Sequence, residues 1–295
     1  MSDYVVTCCS SADLSLETIQ KRNIPFAMFH YTIDGTEYPD DLGQTIPFDK
    51  FYQMIKDGAM PTTSAVNVDQ YVDMFDPILA SGRDVLHLAL YSGISGTYNA
   101  AKVAQAQMQE KYPDRKIIVI DSLAASGGFG LLTILADDNR LSGMSIDDNA
   151  QWVLGHRLNL HHWFFSTDLT SYWRGGRVSR FSAVVGGALN ICPLLNVNSE
   201  GKLIPRERIR GKKKVIHAIA EKMFEHAQGG ENYTGKVFIT HSACYDDAKA
   251  VADLIEAHCP HMDGKVVITS IGNLIGSHTG PGTVALFFMG DERTL

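Results

Sequence analysis

The sequence of 295 residues has few cysteines and no surplus of basic residues. Its five cysteines are scattered, and the adjacent pair Cys8-Cys9 is badly placed to form a disulfide with itself, so we expect reduced thiols. The formal net charge of -7 argues against nucleic acid as the main partner, because phosphate binding requires a basic face.

Long apolar runs are also missing. None approaches the roughly 18 residues that a membrane-spanning helix requires. The acidic residue in Met1-Ser2-Asp3 stands where a secretion signal carries positive charge. We therefore expect no membrane span and a cytoplasmic location.

Two kinds of ligand motif are absent. Neither G-x-G-x-x-G nor G-x-x-x-x-G-K-[ST] occurs, so the chain has no sequence signature for a nucleotide. The segment His258-Cys259-Pro260-His261 groups residue types that bind metals, but a zinc site needs a second pair at suitable spacing, and only Cys244 is near. We predict neither a metal nor a cofactor.

Apolar runs that alternate with segments of helical period dominate a chain that is 45% hydrophobic. The length suffices for two domains with buried cores. In the first half, the alternation of strands and helices favours a parallel sheet covered by helices. The predicted strands are Tyr4 to Cys9, Ile24 to Tyr31, Val85 to Ala89 and Ile117 to Ile120, and the predicted helices are Asp49 to Lys56, Asn67 to Ala80 and Thr97 to Glu110.

The second half predicts a mixed sheet. The turn Asn198-Ser199-Glu200-Gly201 separates Leu194 to Val197 from Lys202 to Arg206, which predicts a hairpin. The other predicted elements are the strands Trp163 to Ser166, Lys236 to Thr240, Val266 to Ser270 and Thr283 to Phe288, and the helices Gly211 to Gln228 and Asp246 to His258. A polar break near Leu141-Ser142-Gly143 precedes the domain boundary, so we divide the chain into an N-terminal α/β/α domain, residues 1–160, and a C-terminal α/β domain, residues 161–295.

Three segments are rich in hydroxyl groups, and two of them also contain glycines. Ile275-Gly276-Ser277-His278-Thr279-Gly280-Pro281-Gly282-Thr283 adds one imidazole, and together these groups can hold an anion. Pro61-Thr62-Thr63-Ser64 and Ser92-Gly93-Ile94-Ser95-Gly96-Thr97 lie beside predicted helix starts, where free N–H groups favour an anion, although helix capping is an alternative role. Asp121-Ser122 with the following Gly127-Gly128-Phe129-Gly130 favours a cap and a tight turn over a phosphate-binding loop.

Two further features bear on function. The basic residues between Arg206 and Lys214 oppose the overall negative charge, which favours an acidic partner or a bound anion. Ser95 and His278 could instead serve as the nucleophile and base of an acyl hydrolase or transferase. The nucleophile elbow requires G-x-S-x-G, however, and the segment from Gly93 ends in Thr97. The hydrolase stays an alternative to a binding protein.

Seven short motifs, in order over nearly the whole chain, resemble those of the DegV family. They are Ser10-Ser11-Ala12-Asp13-Leu14, Pro61-x-Thr63-Ser64, Ser95-Gly96-Thr97-Tyr98, Ile120-Asp121-Ser122, Gly175-Gly176-Arg177-Val178-Ser179, Arg210-Gly211-Lys212-Lys213 and Gly276-x-His278-Thr279-Gly280-Pro281-Gly282. The family comprises bacterial fatty-acid-binding proteins, some of which are the acyl-carrying subunit of fatty acid kinase. The resemblance implies a three-layer N-terminal domain with a parallel sheet, a two-layer C-terminal domain with a mixed sheet, and a long-chain fatty acid between them.

The resemblance also implies a non-catalytic carrier that presents the carboxylate to a separate kinase catalytic subunit, which forms an acyl phosphate. The ligand-binding residues that it implies are Thr63, Ser64, Ser95, Gly96, Thr97, Arg210, His278 and Thr279. Of these, Thr63 and Ser95 would meet the carboxylate. His278 and Arg210 match positions linked to the head group or to its presentation to the kinase.

One position departs from the family pattern, since Cys9 stands where the family has an aspartate at the end of the first strand, facing the domain interface. The loss of that acid leaves open a change in hydrogen bonding near the site or in ligand preference. A third interpretation is a relative of the dihydroxyacetone kinase substrate subunit, which holds a small carbonyl compound with a histidine. The apolar residues of Ala183 to Leu195 and Val284 to Met289 favour a long apolar ligand instead.

Overall fold

The structure, a computed structural model, describes residues 4–167, 170–175 and 190–295. Residues 176–179 of the predicted Gly-Gly-Arg-Val-Ser motif and residues 183–189 of the predicted apolar run lie outside this part of the chain. None of the described helices is both long and apolar enough to cross a membrane.

The described elements alternate between strands and helices through most of the chain. The strands are β1 (Tyr4–Cys9), β2 (Phe26–Ala27), β3 (His30–Ile33), β4 (Thr36–Pro39), β5 (Thr62–Ser64), β6 (Asp84–Ala89), β7 (Ile117–Asp121), β8 (Leu160–Ser166), β9 (Ile191–Val197), β10 (Leu203–Arg210), β11 (Phe238–His241), β12 (Val267–Ser270) and β13 (Thr283–Met289). The α-helices are α1 (Leu16–Arg22), α2 (Phe48–Lys56), α3 (Val68–Ala80), α4 (Thr97–Lys111), α5 (Ser126–Leu141), α6 (Ile146–His156), α7 (Thr170–Gly175), α8 (Lys212–His226), α9 (Tyr245–His258) and α10 (Asn273–Thr279).

A four-stranded parallel sheet in the order β2-β1-β6-β7 forms the centre of the N-terminal part. All six residues of β1 are buried, as expected for a parallel strand that is covered on both faces. Helices α3 and α4 pack against each other and this sheet, and α5 and α6 form a second packed pair on it. The predicted α/β/α arrangement with a parallel sheet is thereby confirmed.

Local sequence explains where the helices of this sheet begin. The side chain of Asn67 accepts a hydrogen bond from the Gln70 N–H, and the Gln70 side chain accepts one from the Asn67 N–H. This reciprocal capping box satisfies two N–H groups that the first turn of α3 leaves without helical partners. The predicted helix from Asn67 to Ala80 therefore agrees with α3 within one residue.

A three-stranded antiparallel sheet, in the order β4-β3-β5, was not expected from the sequence. The predicted strand from Ile24 to Tyr31 is wrong as a single element, because it divides into β2 of the parallel sheet and the start of β3. In this small sheet Tyr31 pairs with Thr63, which brings the Pro-Thr-Thr-Ser segment beside β3. Its own small core contains Tyr31, Ile33, Ile46, Phe51 and Tyr52.

The C-terminal part contains the predicted mixed sheet, with six strands in the order β10-β9-β8-β13-β11-β12. Strands β11 and β12 are parallel, and the other neighbours are antiparallel. The predicted β9–β10 hairpin is confirmed, and the Asn198 side chain holds its turn by accepting hydrogen bonds from the N–H groups of Glu200 and Lys202. Helices α8 and α9 pack together on this sheet.

Helix α5 contacts both large sheets, since it packs on β1 and also on β8, β11 and β13. The predicted tight turn at Gly127-Gly128-Phe129-Gly130 is wrong, because these residues lie inside the helix and are buried. A Cβ atom on Gly128 would lie 2.3 Å from His162 Nε2, and one on Gly130 would lie 2.4 Å from the Ala12 carbonyl oxygen. The glycines therefore allow the helix to approach its neighbours closely, and they do not mark a turn.

Candidate functional site

A cavity of about 480 Å³ lies where α5, α10, the small sheet and the mixed sheet meet. Its volume is within the usual range for ligand pockets, about 300 to 1,000 Å³. Most of its wall is apolar. The apolar side chains that line it are Phe29, Ala65, Leu90, Ile94, Ala125, Phe164, Val197, Leu203, Ile271, Leu274, Ile275, Ala285 and Phe287.

One end of this cavity is polar and joins two distant segments. Thr63 on β5 and His278 near the end of α10 line it, and Thr63 Oγ1 lies 2.9 Å from His278 Nε2 in a hydrogen bond. Helix α10 stops after Thr279 because Gly280 takes a positive φ of 66°, which glycine adopts without strain. The same Thr63 and His278 also border a smaller cavity of about 200 Å³, which Arg174 lines from the other side.

The structure brings most of the predicted site residues to one cavity. Six of the eight line it, namely Thr63, Ser64, Ser95, Gly96, His278 and Thr279. Thr97 does not line it, because its side chain is buried and its hydroxyl hydrogen-bonds the Tyr71 hydroxyl at 2.9 Å. Arg210 does not line it either and lies exposed at the end of β10. The ligand contacts of all eight residues stay predictions.

The geometry does not favour Ser95 and His278 as a nucleophile and its base. Ser95 Oγ accepts a hydrogen bond from the Thr97 N–H at 3.3 Å, and His278 Nε2 is engaged with Thr63. Within the described part of the chain, Ser95 and His278 share no hydrogen bond. A catalytic serine needs its base within about 2.6 to 3.2 Å, so the arrangement suits hydroxyls that donate to a ligand better than an activated nucleophile.

A buried polar cluster beside the cavity was missed by sequence reasoning. Asp13 accepts a short hydrogen bond from the Ser126 hydroxyl and a second one, at 2.9 Å, from the Gly272 N–H. The Ser126 hydroxyl also lies 3.0 Å from Thr240 Oγ1. Burial raises the pKa of Asp13 well above its usual value, although these hydrogen bonds oppose the shift. The Ala-Asp-Leu motif was the available signal, since Asp13 ties the first strand to α5 and α10.

Cys9 does not face the cavity as expected for that strand end. Its thiol is buried in the N-terminal core, 3.1 Å from the Tyr71 hydroxyl, and is not among the cavity-lining residues. Burial raises the pKa of Cys9 to about 12, so the group is a neutral thiol at physiological pH. The Tyr71 hydroxyl that Cys9 contacts also hydrogen-bonds the Thr97 hydroxyl, so Cys9 belongs to the packing behind Thr97. It does not offer a contact to a ligand.

Potential metal ligands converge at a different place from the one considered in the sequence. Among the described residues, His161, His226 and Asp291 form a group whose ligand atoms lie within 4.8 Å of one another. Asp291 already engages both imidazoles, since its main-chain carbonyl hydrogen-bonds His161 Nε2 at 2.9 Å and its carboxylate hydrogen-bonds His226 Nδ1 at 3.2 Å. The cluster is separate from the cavity, which none of the three residues lines.

Taken together, a parallel sheet, a mixed sheet and a largely apolar cavity between them define a class of α/β proteins with an internal ligand pocket. The family model described as an uncharacterised protein of the DegV family matches residues 5–291. The chain therefore belongs to the DegV family, which confirms the resemblance seen in its motifs.

Individual relatives agree with this assignment. A DegV domain-containing protein of Clostridium perfringens is 36% identical over 293 residues, which cover 99% of each chain. Two solved structures are similar over almost the full length of both chains. A DegV lipid-binding protein from Thermotoga maritima has 26% identity, 100% coverage of both chains and a TM-score of 0.82. A DegV family protein from Thermus thermophilus, described for its fatty acid binding, has 25% identity, coverage of 98% of this chain and 99% of its own, and a TM-score of 0.86.

Proposed function

We propose that this protein is a cytoplasmic fatty-acid carrier with no catalytic activity of its own. Its cavity, between a domain of residues 1–160 and a domain of residues 161–295, would enclose the acyl chain of a long-chain fatty acid. The observation that carries the proposal is the pairing of Thr63 with His278 at the polar end of a largely apolar cavity. Similarity to the fatty-acid-binding Thermus thermophilus protein supports the same ligand class.

The acyl chain supplies most of the binding free energy. At about 0.8 kcal/mol for each buried CH₂, roughly 14 methylenes contribute on the order of 11 kcal/mol before the costs of binding are subtracted. Side chains such as Phe164, Ala285 and Phe287 offer the apolar surface that this burial requires. Because one methylene is worth only about 1 to 3 kcal/mol, an apolar wall selects chain length weakly.

The polar end fixes which way the ligand enters. A carboxylate that leaves water without partners costs several kcal/mol, so it requires donors such as the hydroxyls of Thr63 and Ser95 and the imidazole of His278. Arg174 lines the smaller cavity that Thr63 and His278 also border, so it adds positive charge near this end. We therefore infer that the carboxylate lies at this end and the tail at the far end.

We also propose that a separate kinase catalytic subunit converts the presented carboxylate to an acyl phosphate. The sequence has no nucleotide-binding motif, which supports a division of labour between two proteins. Arg210 lies outside the cavity and exposed, so a contact with the kinase suits its position better than a contact with the buried head group.

Mass spectrometry of an organic extract of the natively purified protein tests the proposal. We expect a stoichiometric long-chain fatty acid in the extract, and uptake of added fatty acid after its removal. A lipid-free protein that also takes up no added fatty acid would count against the proposal. Turnover of a generic acyl ester that is lost in Ser95→Ala would favour the hydrolase instead.

A further inference from the structure

His162 is a buried imidazole on the cavity wall. It is a residue of β8, its exposed fraction is 2%, and it lines the cavity together with Phe164. Neither ring nitrogen makes a hydrogen bond of standard geometry among the described residues, and the Leu160 backbone contacts the ring without one. Its neighbour His161 faces the other side of the strand and does bond, to Asp291. Buried polar side chains almost always have partners, so these two free nitrogens require an explanation.

The position of His162 is far from the polar end. Strand β8 pairs with β13 so that Ser166 is opposite Thr283 and His162 is opposite Phe287. Four residues of a strand span about 13 Å, at roughly 3.3 Å per residue. Thr283 follows directly after the α10 segment that carries His278, so His162 would contact a bound fatty acid along the inner part of its chain.

The imidazole ring has a defined place. It lies against Gly128 of α5, where an added Cβ would be 2.3 Å from Nε2, and its ring packs edge-on against Phe287 with centroids 5.4 Å apart. A neutral imidazole ring has one nitrogen that donates a hydrogen bond and one that accepts.

An unsubstituted alkyl chain is a poor neighbour for such a ring. It would displace water from both nitrogens and return no hydrogen bond, which typically weakens affinity about tenfold for each unsatisfied group. A hydroxyl group matches a neutral imidazole, because the hydroxyl can donate to one nitrogen or accept from the other. Phe287 and Ala285 on the same wall are apolar and accept the rest of the chain.

We propose that the preferred ligand is a fatty acid with a hydroxyl group on the inner part of its chain, and that His162 binds this hydroxyl. The inference rests on the proposed function and names the ligand class for the same cavity. Because the contact lies away from the carboxylate, it sets specificity without taking part in head-group binding.

Binding measurements on the delipidated protein test this inference. The probes are stearic acid and a series of hydroxystearic acids that differ only in the position of the hydroxyl. We expect at least one inner-position isomer to bind about tenfold or more tightly than stearic acid. An isomer with its hydroxyl next to the carboxylate has no such advantage. In His162→Phe the preference is lost or reversed, because the phenyl ring offers no polar atom.

A second variant and a spectroscopic measurement complete the design. Thr63→Val should weaken the binding of all of these acids by a similar factor, because it alters only the carboxylate end. The ratio of their affinities should therefore stay unchanged. In wild-type protein labelled with ¹⁵N-histidine, we expect the preferred isomer to change the NMR chemical shifts of the His162 ring nitrogens. Stearic acid should not produce this hydrogen-bond shift. This measurement does not depend on whether His162→Phe folds.

The outcomes separate this inference from the proposed function. If no acid binds, the proposed function fails. If stearic acid binds and no hydroxylated isomer binds more tightly, or if the preference survives in His162→Phe, this inference is overturned while the fatty-acid-carrier function stands. An ordered water on His162 beside bound stearic acid would also overturn it, since the ring would then have its partner.

Discussion

Thr63 and His278 are 215 residues apart in the sequence, yet their side chains share a hydrogen bond at the polar end of the cavity. Each belongs to an element that is held in place by others. Thr63 is fixed on β5 by pairing with Tyr31, and α10 contacts β3, β5 and α2. The pair is therefore a rigid donor set, which is what a carboxylate requires when it leaves water.

Removing one hydroxyl from this set should weaken ligand binding without changing the fold. Thr63→Val keeps the side-chain shape, and we expect fatty acid affinity to fall about 10- to 100-fold, since a hydrogen bond to a charged group contributes about 1.5 to 3 kcal/mol. Titration calorimetry on the delipidated protein measures this. The control is Thr62→Val on the same strand, because Thr62 is exposed and does not line the larger cavity. Equal affinity of the wild type and Thr63→Val would refute the assignment of Thr63.

The raised pKa of Asp40 predicts how the free energy of unfolding depends on pH. It is buried and accepts a hydrogen bond from the Leu274 N–H at 3.3 Å, but burial raises its pKa to about 6 from a usual value of 3.8. The folded state thus holds the proton more tightly than the unfolded state, so the stability that Asp40 contributes is present below pH 4 and is lost as the pH rises through 6.

Comparing Asp40→Asn with the wild type by urea unfolding isolates this effect. Relative to the variant, the wild type should lose about 2 kcal/mol of unfolding free energy between pH 4 and pH 7, at about 1.36 kcal/mol for each pKa unit. Asp34→Asn, in the exposed β3–β4 turn, is the control for exchanging an aspartate for its amide. A constant difference between wild type and Asp40→Asn over this range would contradict the shifted pKa.

Among the helices, α5 differs from its neighbours because it is buried between the two large sheets. Its glycines at 128 and 130 allow contacts that any larger residue would prevent. Glycine usually weakens a helix by about 0.5 to 1 kcal/mol relative to alanine, so its presence here is a cost that close packing offsets.

Alanine substitutions should therefore have opposite effects in α5 and α6. Gly128→Ala forces a Cβ against His162 and should lower the unfolding free energy by about 1 to 3 kcal/mol. Gly155→Ala in α6 meets no atom within 4 Å and should raise it by about 0.5 to 1 kcal/mol. Denaturant unfolding of both variants measures the difference. If both variants gained stability, the tight packing of α5 would be disproved.

The sequence predicts elements well where the signal is local. Strand β1 is a continuous apolar run, and the start of α3 is encoded by Asn67 and Gln70 within one turn. Strand β5 was missed because three residues, Thr62–Ser64, form a strand only through pairing with distant β3. The first turn of α5 was misread because its glycines serve contacts with other elements, which no local pattern displays.

The candidate site depended on more than local pattern. The hydroxyl and histidine segments were visible, but their meeting at one cavity was implied by the family resemblance, because Thr63 and His278 have no local relation. Thr97 shows the limit of carrying over a whole motif, since its hydroxyl is bonded to Tyr71 behind the cavity wall. The sequence did not distinguish His162 from other histidines, because its place on the cavity wall is visible only in three dimensions.

At the scale of the whole molecule, the cavity is bounded by residues from both halves of the chain. Phe29 and Leu90 come from the N-terminal half, and Ala285 and Phe287 come from β13. A ligand that binds both halves in the folded state, and neither in the unfolded state, stabilises the whole protein by mass action.

Added fatty acid should therefore raise the melting temperature of the delipidated protein. At a free ligand concentration 100 times Kd the gain is about 2.7 kcal/mol. For a protein of this size we expect a shift of about 5 to 10 °C, at roughly 2 to 4 °C for each kcal/mol. Differential scanning calorimetry measures it, and the methyl ester of the same acid, which lacks the carboxylate, should give a smaller shift. No shift with the free acid would argue against a ligand that bridges the two halves.

Strand β13 serves two compartments through its alternating side chains. Thr283, Ala285 and Phe287 line the cavity, while the intervening residues Val284, Leu286 and Phe288 are buried in the core beneath α8 and α9. Moving the backbone to enlarge one compartment would loosen the other. A change of ligand specificity in such a protein therefore costs the least stability when it comes from substitutions at positions 285 and 287 that leave the strand backbone unchanged.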